Sequence, residues 1–391
     1  MPPVFFTMRP FDEELNRMRD AALFRSLRTL DSPQHAVVDS GGQPLRNFSS
    51  NDYLGYAADP EVKAALIRGV ERWGAGSGAS RLICGSLGPH AALEEALAAF
   101  KGTEAALTFS SGYAAATGTL TALAGRGDVI ILDKLCHASL IDGARSSGAT
   151  IRVFPHNHLD RLEHLLRWAA AETGAQGRVI VVTESVFSMD GDCAPLREIA
   201  ALKDHYGALL MVDEAHAFGT TGRDGRGLAD ALGVADQVDI HMGTLSKAAG
   251  LHGGTICGSR KMVDLLINAA RSFIYSTAPP PAVAAAATTV ITELLPGPSG
   301  AEKRRLLSER IAAFAGLIGD RITPPQSAIV PVIIGSEAAA LERSAAMLAQ
   351  GFLIPAIRYP TVARGSARLR VTFTAAHGAA DVAALAAALL Q

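Results

Sequence analysis

The sequence predicts an α/β protein with a mostly parallel central sheet in a large domain, followed by a smaller C-terminal α+β domain. Three observations carry that reading. Short, nearly continuous apolar runs rich in Val and Ile recur between residues 105 and 244, with stretches of helical spacing between them. Polar residues (Asp133, Glu184, Asp213 and Thr244) sit at the C-terminal ends of those runs, the edge where open α/β sheets bind ligands. Beyond residue 284 the pattern changes to helix, strand, helix, strand, helix.

In chain order, residues 11–30 carry apolar positions at helical spacing (Leu15, Met18, Ala22, Leu27), so a helix is expected there until DSPQ stops it. "GGQPLRNFSSNDYLG" reads as turn, short strand and loop. Pro60 then opens an amphipathic helix through Trp73, in the first helical turn where proline is tolerated. "AALTFSSGYAAATG" reads as strand, tight turn and helix. "DVIILD" (128–133), "RVIVVTE" (178–184), "ALLMVDEA" (208–215) and "QVDIHMGT" (237–244) are strands of a sheet covered on both faces, because they barely alternate. A long helix is expected after "STAPPP", another over "PSGAEKRRLLSER", then strands at "AIVPVIIG" and "RLRVTFT" and a terminal helix. The expected division is a helical N-terminal segment over 1–46, a large domain over 47–283 and a small one over 284–391.

Composition narrows the function. Apolar residues make up 49% of the 391 and charged ones 19%, enough for a sizeable core, and the net charge is −2 with no basic run. A nucleic-acid partner is therefore not expected. The four cysteines have neither disulfide nor zinc spacing, so no metal site and a reducing, cytoplasmic setting are expected. "MPPVFFTMRPFDEE" lacks the layout of a signal peptide, and no run is long enough to span a membrane.

Candidate chemistry begins with two glycine-rich stretches. "GAGSGASRLICGS" (74–86) fits a relaxed dinucleotide fingerprint but follows a helix rather than a strand, which rejects the nicotinamide reading. No P-loop is present. "TFSSGYAAATG" suits a phosphate better: a strand ends, Ser111, Gly112 and Tyr113 turn, and the free N–H groups of a helix start attract an anion. His137 follows the strand ending at Asp133. Asp213 and His216 close an almost wholly apolar strand, where a carboxylate needs a partner. Lys247, in "HMGTLSKAAGLHGG", has no acid within seven residues on either side. A desolvated lysine amine is nucleophilic and condenses with an aldehyde. Pyridoxal phosphate accounts for the set: a helix N-terminus for its phosphate, Asp213 for its ring nitrogen, Lys247 for its aldehyde and His137 for its flat face.

With "SSNDYLG" (49–55), "FSSGY" (109–113), "HASL" (137–140), "TESVFSMDGD" (183–192), "VDEAH" (212–216), "TLSK" (244–247), "IYSTAPPP" (274–281) and "AIRYPTVARGSARLRVTFTAAH" (356–377), the chain resembles the α-oxoamine synthases, pyridoxal-phosphate acyltransferases of fold type I. The likeness runs from about Arg25 to the C-terminus. It implies that Lys247 carries the cofactor, Asp213 pairs with its ring nitrogen and His137 stacks on the ring. Ser188 and His216 would lie at the ring oxygen, and Ser111, Gly112, Tyr113 and Thr244 on the phosphate side. Thr277 would reach the phosphate in a neighbouring subunit, implying a homodimer with shared sites. Asn51 and Arg370 resemble the residues that hold the amino-acid carboxylate, and Arg25 and Thr361 match substrate-contacting positions. Tyr359 stands where a proline is usual. The segment 356–377 favours family members that join L-alanine to a pimeloyl thioester, on CoA or a carrier protein. A sister acyltransferase (a glycine C-acetyltransferase or an autoinducer-type synthase) and a non-catalytic partner subunit are the other readings. The presence of Lys247, Asp213 and His137 together speaks against the last.

Overall fold

The computed structural model describes residues 11–173 and 177–391. Residues 1–10, on which the reading of the N-terminus as free of an export signal rests, lie outside the described residues. The described residues begin with a helix, Phe11–Asp20, and a hairpin of β1 (Val37–Ser40) and β2 (Gln43–Asn47). The central strands follow: β3 (Ala105–Phe109), β4 (Val129–Asp133), β5 (Thr150–Phe154), β6 (Val179–Glu184), β7 (Leu209–Asp213), β8 (Ile240–Thr244) and β9 (Gly254–Gly258). The C-terminal part adds β10 (Ile329–Gly335), β11 (Phe352–Leu353), β12 (Ala356–Ile357) and β13 (Ala367–Thr372).

Strands β3 to β9 form one seven-stranded sheet in the order β3-β9-β8-β7-β6-β4-β5. All pairings from β8 through β5 are parallel, and only β9 runs antiparallel, between β3 and β8. Side chains along a strand alternate between faces. Ile130, Leu132, Ile180, Val182 and Met211 therefore pack above the sheet against helices Gly112–Leu123, Ala138–Ser147 and Arg260–Ala269. Ile131, Val181, Leu210 and Val212 pack below it against Gly88–Lys101, Leu159–Glu172, Leu196–Tyr206 and Pro281–Thr289. Both faces are dry, which is why the strands read as unbroken apolar runs; each such side chain contributes about 1.5–3 kcal/mol on burial.

Two more three-stranded sheets, β10-β13-β12 and β1-β2-β11, complete the fold. The second corrects the expectation of a helical segment over 1–46. The helix stops at Asp20, and β2 pairs in parallel with β11, so residues 37–47 are stitched to the C-terminal part. The His377 ring stacks on Phe48 at 4.0 Å, and the apolar cluster below the main sheet runs on into Val330, Val371 and Phe373. The expected helices at Pro60–Trp73, Pro298–Ile318, Glu337–Ala349 and Ala379–Leu390 are present, and Asp59 caps the first of them. No helix among the described residues is long and apolar enough to cross a membrane, and no group of His, Cys, Asp and Glu among them could hold a metal ion.

Candidate active site

Four neighbouring strands, β4, β6, β7 and β8, end in Asp133, Glu184, Asp213 and Thr244, so the parallel register collects these side chains along one edge of the sheet. The same edge holds the turn after β3. There Ser111 Oγ accepts from the Ala114 N–H at 3.1 Å and the Ser111 carbonyl from the Ala115 N–H at 3.0 Å. This leaves the N–H groups of Gly112 and Tyr113, the first two of helix Gly112–Leu123, as free donors at its positive end. Strand β9 starts against this turn. A Cβ on Gly254 would stand 2.2 Å from the Ser111 carbonyl oxygen, so only glycine lets the antiparallel strand pass so close. Thr244 Oγ1 bonds Ser246 Oγ at 2.7 Å and the Gly253 carbonyl at 2.8 Å, and faces Gly112 across the turn.

Lys247 follows β8 by three residues and turns its amine inward. Among the described residues it makes no ion pair; Nζ lies 2.8 Å from His216 Nε2. Burial lowers its ammonium to about 8, against the pull of the Asp213 and Glu184 carboxylates at the neighbouring strand ends and with Arg370 adding to the depression. The His216 imidazole is held well below its ordinary range by burial and by Lys247. It is therefore neutral, accepts from Lys247 at Nε2 and donates from Nδ1 to Tyr53 Oη. Tyr53 is fully buried, its phenol pushed up to about 12 by burial, and donates to Asn51 Oδ1 at 3.3 Å. The same Asn51 oxygen accepts from Arg370 Nη2 at 3.1 Å. One hydrogen-bonded chain thus joins the amine of Lys247 to the guanidinium of Arg370.

Arg370 projects from β13 and is held on its other edges by the Ser188 carbonyl at 2.6 Å and Thr372 Oγ1 at 2.8 Å. Asp213 is buried, and among the described residues its carboxylate takes one hydrogen bond, from the Ala215 N–H at 2.9 Å. Burial raises its carboxyl, and Lys247 and His137 pull it back. His137 caps helix Ala138–Ser147: Nδ1 accepts from the Ser139 N–H at 3.2 Å and lies 2.8 Å from Ser139 Oγ. Its own backbone N–H donates to Glu184 at 2.6 Å. Burial lowers its pKa against the pull of Asp213, so the ring is neutral with its proton on Nε2.

The structure brings Ser111, Gly112, Thr244, Lys247, Asp213, His216, His137, Asn51, Ser188 and Arg370 around this edge of the sheet. The remaining predicted residues lie as follows. Tyr113 points its ring outward, Oη bonding Asp142 at 2.5 Å, so only its backbone N–H serves the helix terminus. Ser188 meets Arg370 through its carbonyl, not its hydroxyl. Arg25 and Thr361 are exposed and gather around Arg358, whose carbonyl accepts from the Thr361 N–H at 3.0 Å, and neither joins the Lys247 chain. Thr277 is exposed and bridges to Ser80 within its own chain. Tyr53 and Glu184 were missed as site residues. Tyr53 lies inside "SSNDYLG", but nothing in its spacing ties it to His216, and Glu184 carried only the signal of a polar residue ending an apolar strand.

Residues 43–389 match the family model for aminotransferases of class I and II. The 8-amino-7-oxononanoate synthase of Anaeromyxobacter sp. (strain Fw109-5) is 49% identical over 378 residues, covering 97% of this chain and 94% of that protein. The chain belongs to the 8-amino-7-oxononanoate synthase family. Among solved structures, serine palmitoyltransferase from S. paucimobilis with a bound PLP–myriocin aldimine superposes with a TM-score of 0.89 at 31% identity, covering 97% of this chain and 95% of that one. An 8-amino-7-oxononanoate synthase from Francisella tularensis gives 0.74 at 26% identity, covering 88% and 97%. The fold is that of the fold type I pyridoxal-phosphate transferases, with the Lys247 group at the ligand-binding edge of its sheet.

Proposed function

We propose that this member of the family condenses L-alanine with a pimeloyl thioester to 8-amino-7-oxononanoate, releasing carbon dioxide and the thiol, as a step of biotin biosynthesis. The observation that carries the reading is the chain Lys247–His216–Tyr53–Asn51–Arg370. It sets a lysine amine of lowered basicity and a carboxylate-binding guanidinium at two ends of one network.

The residues fit pyridoxal phosphate. The free N–H groups of Gly112 and Tyr113, with the hydroxyls of Ser111 and Thr244, would hold the phosphate. Asp213 would hold the ring nitrogen and His137 the ring face, with Ser188 and His216 on the ring-oxygen side and Lys247 at the aldehyde carbon. When bound, the cofactor supplies an electron sink for a carbanion at the amino acid's α-carbon.

The side chains supply the rest. Arg370, with Asn51 beside it, binds the alanine carboxylate and orients the α-proton toward Lys247. Because the Lys247 ammonium lies near 8, its amine is uncharged often enough at neutral pH to take that proton. Neutral His216 anchors the amine without repelling its charged form. His137, its Nε2 proton free of a protein partner, donates toward the thioester oxygen as the acyl bond forms. Arg25 and Thr361, grouped around Arg358, would meet the acyl chain.

Apolar side chains left open in the single chain, among them Leu27 at 102%, Ile83 at 78% and Tyr275 at 72% exposure, support a homodimer that covers them. Thr277, in the same exposed segment as Tyr275, would then serve the phosphate site of the second copy.

The test is thiol release by the protein loaded with pyridoxal phosphate. Release with pimeloyl-CoA and L-alanine, with one carbon dioxide per thiol, is the expected result. Release only with glycine and acetyl-CoA, or with serine and a long-chain acyl-CoA, would overturn the substrate assignment. Pimeloyl carrier protein is run in parallel to decide between the two donors.

A further inference from the structure

Outside the Lys247 group, one histidine is gripped from two sides. His156 lies just past β5, with Nδ1 3.0 Å from Asp133 Oδ1 and Nε2 2.7 Å from Asp192 Oδ2. Two carboxylates on the two ring nitrogens require both to carry protons. Burial opposes that charge, but the hydrogen bonds to Asp133 and Asp192 outweigh it and hold the imidazolium up to about 10. Phe187 packs edge-on against the ring at 4.3 Å.

The two acids belong to different elements. Asp133 is buried at the end of β4 and also accepts from the backbone of Leu135 and Asn157, at 2.8 Å each. Asp192 lies on the hairpin-like loop 185–194, which closes on itself through Ala194 N–H to Ser185 (3.0 Å), Phe187 N–H to Asp192 (3.0 Å) and Gly191 N–H to Phe187 (2.8 Å). Asn157 adds a bond to the Cys193 carbonyl at 3.2 Å. The base of the loop is thereby fastened to the sheet.

Its tip reaches the arginines of β13. The Ser188 carbonyl accepts from Arg370 Nε at 2.6 Å, and Asp190 Oδ1 accepts from Arg368 Nη1 at 2.6 Å. Gly191 sits at φ 71°, where a Cβ would stand 2.1 Å from the Ile329 carbonyl oxygen, so the tip is seated tightly on β10.

We propose that His156 is a positioning residue for the amino-acid carboxylate site: by clasping Asp133 to Asp192 it fixes loop 185–194, whose Ser188 carbonyl sets the orientation of the Arg370 guanidinium. The inference rests on the reading of Arg370 as the carboxylate-binding residue. His156 touches neither Arg370 nor Lys247, so its effect passes through the loop. Thr372 and Asn51 still hold Arg370 when the clasp is cut, which makes the expected loss one of alignment.

The experiment compares Asp192→Asn, His156→Gln and Arg370→Lys in the cofactor-loaded enzyme, each with separate KM values for alanine and thioester. Asp192→Asn and His156→Gln should raise the alanine KM by roughly three- to tenfold, the worth of about one hydrogen bond. The thioester KM and kcat should stay within about twofold. A merely structural role would lower the folded fraction, seen in the thermal midpoint, without this split between the two KM values. An unchanged alanine KM in both clasp variants, with Arg370→Lys raising it, overturns the role of His156 and leaves the carboxylate reading standing. An unchanged alanine KM in Arg370→Lys overturns the carboxylate reading itself. Should Asp192→Asn fail to fold, His156→Gln, which keeps one donor, carries the comparison.

Discussion

A lysine at the end of an apolar strand stays uncompensated only if something else uses its amine. Among the described residues, the Asp213 and Glu184 carboxylates act on Lys247 through space rather than by an ion pair, and its one hydrogen-bond partner is a neutral imidazole. Burial therefore wins, and the ammonium sits near 8 rather than at its ordinary 10.5. The sign is definite: above about pH 8 the amine is free, so it reacts with aldehydes in a range where surface lysines are still protonated. Cofactor-free protein mixed with pyridoxal phosphate should link it at a rate that rises with pH and levels off with a midpoint near 8. A midpoint close to 10, read from the visible absorbance between pH 6 and 11, would contradict the desolvation argument.

Loop 185–194 shows what elements add to residues. Its ends belong to the sheet edge, its tip to the arginines of β13, and His156 supplies the charge that ties the two. His156 titrates near 6.5 in the unfolded chain and near 10 in the folded one, so the folded state binds the extra proton between those values. The clasp's stabilisation is therefore complete below about pH 6.5 and lost as the pH rises through 10. Denaturant unfolding of wild type and His156→Gln should show a stability difference that shrinks steadily from pH 6.5 to 10. A difference that is flat or grows over that range would mean that His156 is not the charged member of the clasp. None of this was legible in the sequence, because "PHNH" and "SMDGD" are more than thirty residues apart and only the sheet order brings them together. The strands themselves were legible, since parallel strands covered on both faces leave no polar alternation. The exceptions are instructive. Strand β9, "GTICG", is too small and too glycine-rich to read as a strand, yet those glycines let it pass the Ser111 turn. Strand β11 is two residues long and exists only because β2 pairs with it.

At the scale of the whole molecule, the parts are joined by buried polar contacts as well as by apolar packing. Lys101, closing helix Gly88–Lys101, pairs with Glu214 just past β7 and also donates to the Arg226 carbonyl. Burial would raise the Glu214 carboxyl, but Lys101 and His241 outweigh it and hold it at about 2. Lys101→Met would leave Glu214, 1% exposed, as a buried charge with only the Ala229 N–H and a distant His241. The expected loss is about 3–5 kcal/mol in urea unfolding, and a loss below about 1 kcal/mol would show that the pair does not bear on stability. The site follows the same division as the fold. Asp213 and Lys247 stand out in the sequence because each is in an unlikely local setting and His137 only as part of the pyridoxal-phosphate set, whereas Tyr53 looks like any core tyrosine until His216 is placed beside it. Of the residues assigned by resemblance alone, Asn51, Arg370 and Ser188 join the hydrogen-bonded group, whereas Arg25, Thr361 and Thr277 stay outside it.

The central claim is that Lys247 is the amine that holds the cofactor. Borohydride reduction of the pyridoxal-phosphate-loaded protein, followed by proteolysis and mass spectrometry, tests it most directly. The account predicts one pyridoxyl group per chain, on the peptide containing "TLSKAAG", and none there in Lys247→Ala. A stoichiometric label on any other lysine, with Lys247 unmodified, would contradict it.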